Sequence, residues 1–100
     1  MSVLITMKMK GDTAVFRQAL HERSDEFVKI SDASRAVGAL HHRFAVGDGF
    51  VLVIDEWESI EQFQQFFSDP ALQTFIGTVG AAQEPPEITV GEAVDSADEF

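Results

Sequence analysis

The sequence predicts a single α+β domain whose four antiparallel strands form one sheet, with the helices packed on one of its faces. Three observations indicate this class. The chain has 100 residues, which is enough for one hydrophobic core and too few for two. Gly47-Asp48-Gly49 separates two strand-like segments. The hydrophobic period then changes from strand-like to helix-like within two residues, at Trp57.

The first strand is predicted over Ser2–Lys10, because apolar residues recur there with period two. Asp12 is a good N-cap for a helix that begins at Thr13, and Gly38 is a natural stop for that helix. Ser24-Asp25 provides a second cap signal, which predicts a kink. The apolar residues of this helix fall in one narrow arc: Phe16, Leu20, Phe27, Ile30 and Val37.

The second and third strands are predicted over Ala39–Val46 and Phe50–Trp57. The Gly47-Asp48-Gly49 segment between them is typical of a hairpin, because glycine accepts the positive φ that tight β-turns require. The second helix is predicted to open at a capping box formed by Ser59 and Gln62.

Asp69-Pro70 restarts the second helix, with Asp as the cap and Pro at the first helical position. Residues Gly80–Pro86 have the composition of a linker. Glu87–Val94 carries alternating apolar residues and is predicted to be the last strand. We expect residues 1–95 to form the domain and residues 96–100 to form an acidic tail.

The resulting order, β-α-β-β-α-β, is the split βαβ arrangement of ferredoxin-like folds, with both helices on one face of the antiparallel sheet. No segment remains to cover the other sheet face, whose side chains are substantially apolar. A second copy of the chain is the simplest cover, so we expect a homodimer.

The charge and composition exclude several kinds of partner. The formal net charge is -10, from 17 acidic and 7 basic residues, so no nucleic-acid or membrane partner is expected. The absence of cysteine excludes disulfides and thiol nucleophiles. The first residues carry no basic region, and Lys8 and Lys10 interrupt the apolar run, so neither a signal peptide nor a membrane span is expected. We therefore expect a cytoplasmic protein.

Residues 50–76 carry a pattern that is similar to that of a known family. The segment resembles the third strand and second helix of the dimeric α+β barrel proteins, above all the antibiotic biosynthesis monooxygenase-like domains. The resemblance implies a homodimer whose two sheets close a barrel, with a small-molecule cavity between each sheet and its helices. The superfamily includes cofactor-free oxygenases of aromatic substrates, haem-degrading enzymes, lactone isomerases and many domains without known activity. The residues that carry the resemblance are Val53–Ser59, Phe63, Phe66-Phe67 and Ser68–Pro70.

One departure from the family pattern concerns haem. The haem-degrading relatives carry an axial histidine late in the second helix and a tryptophan earlier in it. The register from Trp57 places these positions at Ile76 and Phe66. Isoleucine cannot ligate iron, so haem degradation by that mechanism is not expected, and we expect no cofactor.

His41 and His42 are the first candidates for catalysis. Adjacent strand residues point to opposite faces, so the two cannot share one pocket. A three-residue hairpin loop places His41 opposite Asp55, whereas a two-residue loop places His42 opposite Asp55 and His41 opposite Glu56. In either register a histidine faces a carboxylate, as in a general base that an acid orients. The alternative is a cross-strand ion pair without a catalytic role.

Arg23 falls in the middle of the apolar arc of the first helix, where an unpaired cation is costly. One interpretation is a clamp for a substrate anion or enolate in the cleft. The other is a side chain that reaches solvent at the helix edge or pairs with a carboxylate.

Four further residues are expected to line the cleft, although each is also a candidate for the core: Trp57, Phe66, Phe67 and Ile76. The three histidines have neither HxH nor HExxH spacing, so no metal site is expected.

Two functions follow. The first is a cofactor-independent oxygenase or isomerase of an aromatic or polyketide-like substrate, with a histidine as base, Asp55 orienting it and Arg23 stabilising the anion. The second is a non-catalytic homodimer that binds a small apolar or aromatic ligand or serves as a structural module. Convergence of Arg23 and one imidazole on an enclosed pocket favours the enzyme.

Overall fold

The computed structural model describes residues 1–100 and contains four strands and four helices. Their order confirms the predicted β-α-β-β-α-β arrangement, with each of the two predicted helices divided into two segments. The elements are β1 (Val3–Lys10), α1 (Thr13–Glu22), α2 (Ser24–Ala36), β2 (Ala39–Gly47), β3 (Phe50–Trp57), α3 (Ile60–Phe67), α4 (Pro70–Gly77) and β4 (Glu87–Glu92).

The strands form one antiparallel sheet in the order β2-β3-β1-β4. The two central strands, β1 and β3, pair along their whole length, from Val3 opposite Trp57 to Lys10 opposite Phe50. The last strand ends at Glu92, two residues earlier than predicted, although the Ala93 N–H still donates to the Ser2 carbonyl at 3.0 Å.

Side chains cap three of the four helix N-termini, as the sequence predicts. Asp12 accepts from the backbone N–H groups of Ala14 and Val15, and Ser59 accepts from that of Gln62. Asp69 caps α4 in the same way, with Pro70 as its first residue. The predicted kink in the first helix is a complete break at Arg23, but no side chain caps α2, so the expected cap at Ser24-Asp25 is wrong.

The hydrophobic core lies between the helices and one face of the sheet, in two clusters. The first joins the sheet to α3 through Ile5, Met7, Val53, Trp57 and Phe63. The second joins the sheet to α1 through Phe16, Ala19, Val51 and Val79. The opposite face of the sheet carries no helix, and Leu4 and Ile54 are exposed there.

The loop before β4 closes against the start of α1. The Asp12 N–H donates to the Gly80 carbonyl at 2.9 Å, and Gly11 and Ala81 form an isolated bridge. Gly80 has a φ of 99°, and a Cβ there would lie 2.6 Å from the Asp12 carbonyl oxygen, so only glycine permits this approach. No helix of the chain combines the length and the apolar character needed to cross a membrane.

Candidate functional site

A cavity of about 470 Å³ lies between the helix-facing side of the sheet and the helices. Its volume falls within the range of small-molecule sites, roughly 300–1,000 Å³. Of its 27 lining residues 18 are hydrophobic, so a ligand that fills it must present a mainly apolar surface.

Four phenylalanines form an aromatic wall of this cavity. Phe44 on β2 meets Phe16 at 5.0 Å and Phe27 at 5.9 Å between ring centroids, and Phe27 meets Phe75 at 5.1 Å. All these contacts are edge-to-face, the arrangement that the ring quadrupole favours. The wall therefore draws on four elements, α1, α2, β2 and α4, and suits a planar aromatic ligand.

The structure places all four predicted cleft residues on the lining of this cavity: Trp57, Phe66, Phe67 and Ile76. Trp57 is also the largest of the fully buried side chains, with 1% of its surface exposed. Its ring lies 5.5 Å from that of Phe66. The same residues thus serve the core and the cavity.

His42 and Asp55 form the polar pair of the cavity wall. The hairpin has a two-residue loop, with Gly47 opposite Phe50, and this register brings His42 opposite Asp55. The ring of Phe50 lies where a Cβ on residue 47 would stand, and the glycine at this position leaves room for it. The Nδ1 atom of His42 lies 2.7 Å from Oδ1 of Asp55.

The surroundings of the pair fix its chemistry. The Asp55 side chain is only 11% exposed, while that of His42 is 35% exposed. Asp55 also accepts a hydrogen bond from Nε1 of Trp57 at 3.1 Å, and the Phe44 ring packs edge-on at 4.6 Å from the imidazole. A carboxylate only accepts, so Nδ1 carries the hydrogen and Nε2 is the free acceptor of a neutral imidazole. This arrangement can remove a proton from a bound molecule.

His41 lies on the other face of the sheet. It stands opposite Glu56, with 3.9 Å between Nε2 and the carboxylate, and its side chain is 80% exposed. The pleat therefore separates the two neighbouring histidines, and only His42 lines the cavity.

Arg23 does not line the cavity. It is the break residue between α1 and α2, and its guanidinium forms two hydrogen bonds with Glu26, at 2.7 and 3.2 Å. It also donates to Oγ1 of Thr78 at 2.9 Å and lies 4.7 Å from the centre of the Phe75 ring. The hydrogen bond to Glu26 raises the pKa of Arg23. The structure thus joins Arg23 to α2 and α4 and does not bring it together with His42.

Two serines on α2, Ser31 and Ser34, also line the cavity, and the sequence analysis did not identify them. Ser34 is buried, and its hydroxyl donates to the Ser31 carbonyl at 2.7 Å. Both line the cavity together with Phe27, Ile30 and His42, and α2 packs on β2. Residues 27, 30, 31 and 34 have the spacing of one helix face, so the sequence does contain a signal that the two serines face the cavity. The predicted apolar arc did not include them because serine is not hydrophobic.

No group of three or more His, Cys, Asp or Glu side chains has an arrangement that could hold a metal ion. The polar residues of the lining instead stand in pairs or alone. The charged ones other than Asp55 are Asp12 and, from strand positions whose side chains alternate onto the outer face, Lys10 and Arg43.

Comparison with known proteins relates this chain to others through its fold. No family model matches the sequence, and no curated protein matches it. Solved structures do match over nearly the whole chain, at identities that show the fold alone.

Three of these structures illustrate the shared fold. SnoaB, a cofactor-independent oxygenase from Streptomyces nogalater, has a TM-score of 0.66 at 13% identity, with 98% of each chain covered. The ActVA-Orf6 monooxygenase of Streptomyces coelicolor, in complex with nanaomycin D, has a TM-score of 0.70 at 18% identity, covering 99% of this chain and 93% of that one. An antibiotic biosynthesis monooxygenase-like protein from Deinococcus radiodurans has a TM-score of 0.64 at 17% identity, with 98% of each chain covered. The predicted resemblance to antibiotic biosynthesis monooxygenase-like folds is confirmed.

Proposed function

We propose that this protein is a cofactor-independent oxygenase or isomerase that acts on an aromatic or polyketide-like substrate in the cavity between sheet and helices. The observation that carries the proposal is the His42–Asp55 pair, which places a base oriented by a mostly buried carboxylate on the wall of a mainly apolar cavity. The fold it shares with SnoaB and the ActVA-Orf6 monooxygenase supports the same class.

The cavity wall supports an aromatic substrate. Edge-to-face contacts among the phenylalanines leave ring faces and edges available to a planar ligand, and stacking of this kind adds to the burial of its surface. The His42–Asp55 pair orients the ligand, because the acidic hydroxyl or carbon of the ligand must meet the imidazole while its body fills the apolar space.

The chemistry begins with proton transfer. In the proposed reaction, Nε2 of His42 removes a proton from an acidic carbon or hydroxyl of the substrate, and Asp55 stabilises the imidazolium that forms. The electron pair remains on the substrate as an enolate or phenolate. An isomerase returns the proton to a different atom, whereas an oxygenase lets the anion react with dioxygen. Both activities therefore need the same base.

The uncovered face of the sheet supports a homodimer. Strand register places the exposed apolar residues of this face, Leu4 and Ile54 among them, beside three cationic side chains and two carboxylates. This face is therefore less acidic than the chain as a whole, whose net charge is -10. Two copies that meet through this face avoid the repulsion between their acidic surfaces and bury apolar side chains. The charged residues of this face are Lys8, Lys10, Arg43, Glu56 and Glu87.

One observation favours the alternative, a homodimer that binds a ligand without turnover. The guanidinium of Arg23 is held by Glu26 and Thr78 outside the cavity, so it does not supply the expected stabilisation of a substrate anion.

The test compares the two neighbouring histidines. Wild-type protein is incubated in D2O with a tricyclic carbon acid such as anthrone, and deuterium incorporation and dioxygen uptake are recorded. We expect catalysis by the wild type, a loss of roughly 10²- to 10⁴-fold in His42→Gln, and no change in His41→Gln, the matched control on the outer face. Tight binding of the probe without either reaction would support the ligand-binding alternative, and an unchanged rate in His42→Gln would refute the assigned base.

A further inference from the structure

The chain contains one tryptophan, and its indole N–H is used inside the candidate site. Trp57 is 1% exposed, and Nε1 lies 3.1 Å from Oδ2 of Asp55. A buried indole N–H needs an acceptor. Here that acceptor is the carboxylate that faces His42.

The two oxygens of Asp55 are divided between two donors. Oδ1 accepts from Nδ1 of His42 on β2, and Oδ2 accepts from the indole of Trp57 on β3. Asp55 and Trp57 are two residues apart on one strand, so their side chains leave the same face of the sheet. The plane of the carboxylate is therefore fixed from both sides.

We propose that Trp57 is a positioning residue for the His42–Asp55 base. Its hydrogen bond stabilises the ionised carboxylate and holds Oδ1 towards the imidazole. That contact keeps the hydrogen on Nδ1 and leaves the Nε2 lone pair for the substrate proton. In the step itself the substrate bond to hydrogen breaks and the Nε2–H bond forms, while the indole proton stays on Trp57. The catalytic consequence rests on the proposed function, whereas the hydrogen-bonded unit does not.

A purely structural role for Trp57 is the competing explanation. Its ring also packs against Phe63 and Phe66, at centroid distances of 5.7 and 5.5 Å. If packing were its whole role, protonation of His42 would leave the indole N–H unaffected. The two explanations therefore differ in an observable that needs no substrate.

The charges around the pair are few. On β2 the neighbours of His42 are His41, which faces Glu56, and Arg43, which stands opposite Ile54, and both of these side chains leave the outer face of the sheet. Across the sheet Asp55 faces Ile5, and α2 contributes Ser31 and Ser34, none of which titrates in the range of histidine. Lys10 and Asp12 are at the end of the cavity where β1 meets α1. His42 and Trp57 are thus the two side chains that hydrogen-bond to the Asp55 carboxylate.

The first experiment is a pH titration of the single indole signal in the ¹H–¹⁵N spectrum of uniformly labelled wild-type protein. We expect this signal to shift with the same inflection as the imidazole of His42. The inflection should be lost in His42→Gln and kept in His41→Gln. In Asp55→Ala the indole hydrogen should exchange faster with water. An indole signal that stays constant while His42 titrates would overturn the proposal.

The second experiment uses Trp57→Phe, which keeps an aromatic ring and removes the donor. We expect the neutral imidazole of His42 to become a mixture of its two tautomers, as read from its ¹⁵N shifts. In the exchange assay, kcat should fall roughly 10- to 100-fold with little change in KM, since a hydrogen bond to a charged group contributes about that much.

The outcomes separate the two proposals. Coupled titration of the indole and His42, without turnover of any probe, would reject the proposed function and leave the positioning role of Trp57 intact. Turnover in a protein whose indole does not respond to His42 would reject the positioning role and leave the function intact. If Trp57→Phe fails to fold, the pH titration of the wild-type protein still decides between the positioning role and a purely structural role of Trp57.

Discussion

At the scale of single residues, two neighbouring histidines have different surroundings. His42 faces the cavity beside the mostly buried carboxylate of Asp55, while His41 faces outward and lies 3.9 Å from Glu56. The two side chains are chemically identical, and they differ only because successive residues of a strand point to opposite faces of the sheet. This makes His41 a matched control for any experiment on His42.

Arg23 and Glu26 shift each other's pKa values through their hydrogen bond. The hydrogen bond from the Arg23 guanidinium lowers the pKa of the Glu26 carboxyl. A carboxyl with a lower pKa in the folded state contributes stability above its unfolded pKa, and this contribution is lost as the pH falls through the folded pKa. The pair therefore stabilises the break between α1 and α2 at neutral pH and not in acid.

We expect Glu26→Gln to lower the midpoint of urea unfolding at neutral pH, by a small amount because both side chains are partly exposed. The difference from wild type should shrink as the pH falls below about 4, near the unfolded pKa of a glutamate. Circular dichroism measures the midpoints. Asp25→Asn is the control, since it removes a charge from the same helical turn without removing the partner of Arg23. A difference that stays constant from neutral to acidic pH would contradict this account.

At the scale of secondary-structure elements, α4 has an unusual balance of contacts. None of its residues is buried, yet Leu72, Phe75 and Ile76 line the cavity. The helix has only eight residues, so its own propensity cannot maintain it. Its stability depends on packing against the cavity and on the cap at Asp69.

Asp69→Ala removes that cap and should destabilise the protein by about 1 kcal/mol, as loss of an aspartate N-cap generally does. Hydrogen exchange should rise most in the amides of α4, and a ligand of the cavity should bind more weakly because one wall is frayed. Asp95→Ala, which lies after the last strand, is the control. Faster exchange spread evenly over the sheet, with α4 unaffected, would show that the cap does not hold this helix.

At the scale of the whole molecule, the two faces of the sheet have separate roles. One face forms the core and the cavity, and the other presents exposed apolar side chains among mixed charges. Exposure of the apolar side chains of this face to water is unfavourable, and burial against a second copy of the chain is the proposed relief. The proposed homodimer is therefore a property of the sheet and independent of the chemistry in the cavity.

Ile54→Glu places a charge in the middle of the outer face and should convert a dimer into a monomer. Light scattering coupled to size-exclusion chromatography at micromolar concentration measures this directly. Val37→Glu is the control, because Val37 is similarly exposed but lies between α2 and β2, away from the sheet face. A wild-type protein that is monomeric at this concentration, or an Ile54→Glu variant that stays dimeric, would refute the arrangement.

The order of the elements and most of their ends follow from the amino-acid sequence alone. Hydrophobic period assigned the strands and helices, and the caps at Asp12, Ser59 and Asp69 follow from side chains that bond to backbone groups within three residues. Such features are local, so neighbouring residues contain all the information they need. The aromatic lining of the cavity was predictable for the same reason.

The contacts between side chains of the site, in contrast, depend on how the chain packs in three dimensions. Two hairpin registers were compatible with the glycines around Asp48, and cross-strand pairing selected the one that joins His42 to Asp55. The helical arc left two positions open for Arg23, inside the cleft or paired with a carboxylate at the helix edge, and in the structure its side chain bonds to Glu26 and Thr78. The bond from Trp57 to Asp55 depends on both side chains leaving one packed face. These contacts join segments that lie apart in the chain or depend on how a face is packed, and local propensity does not specify either.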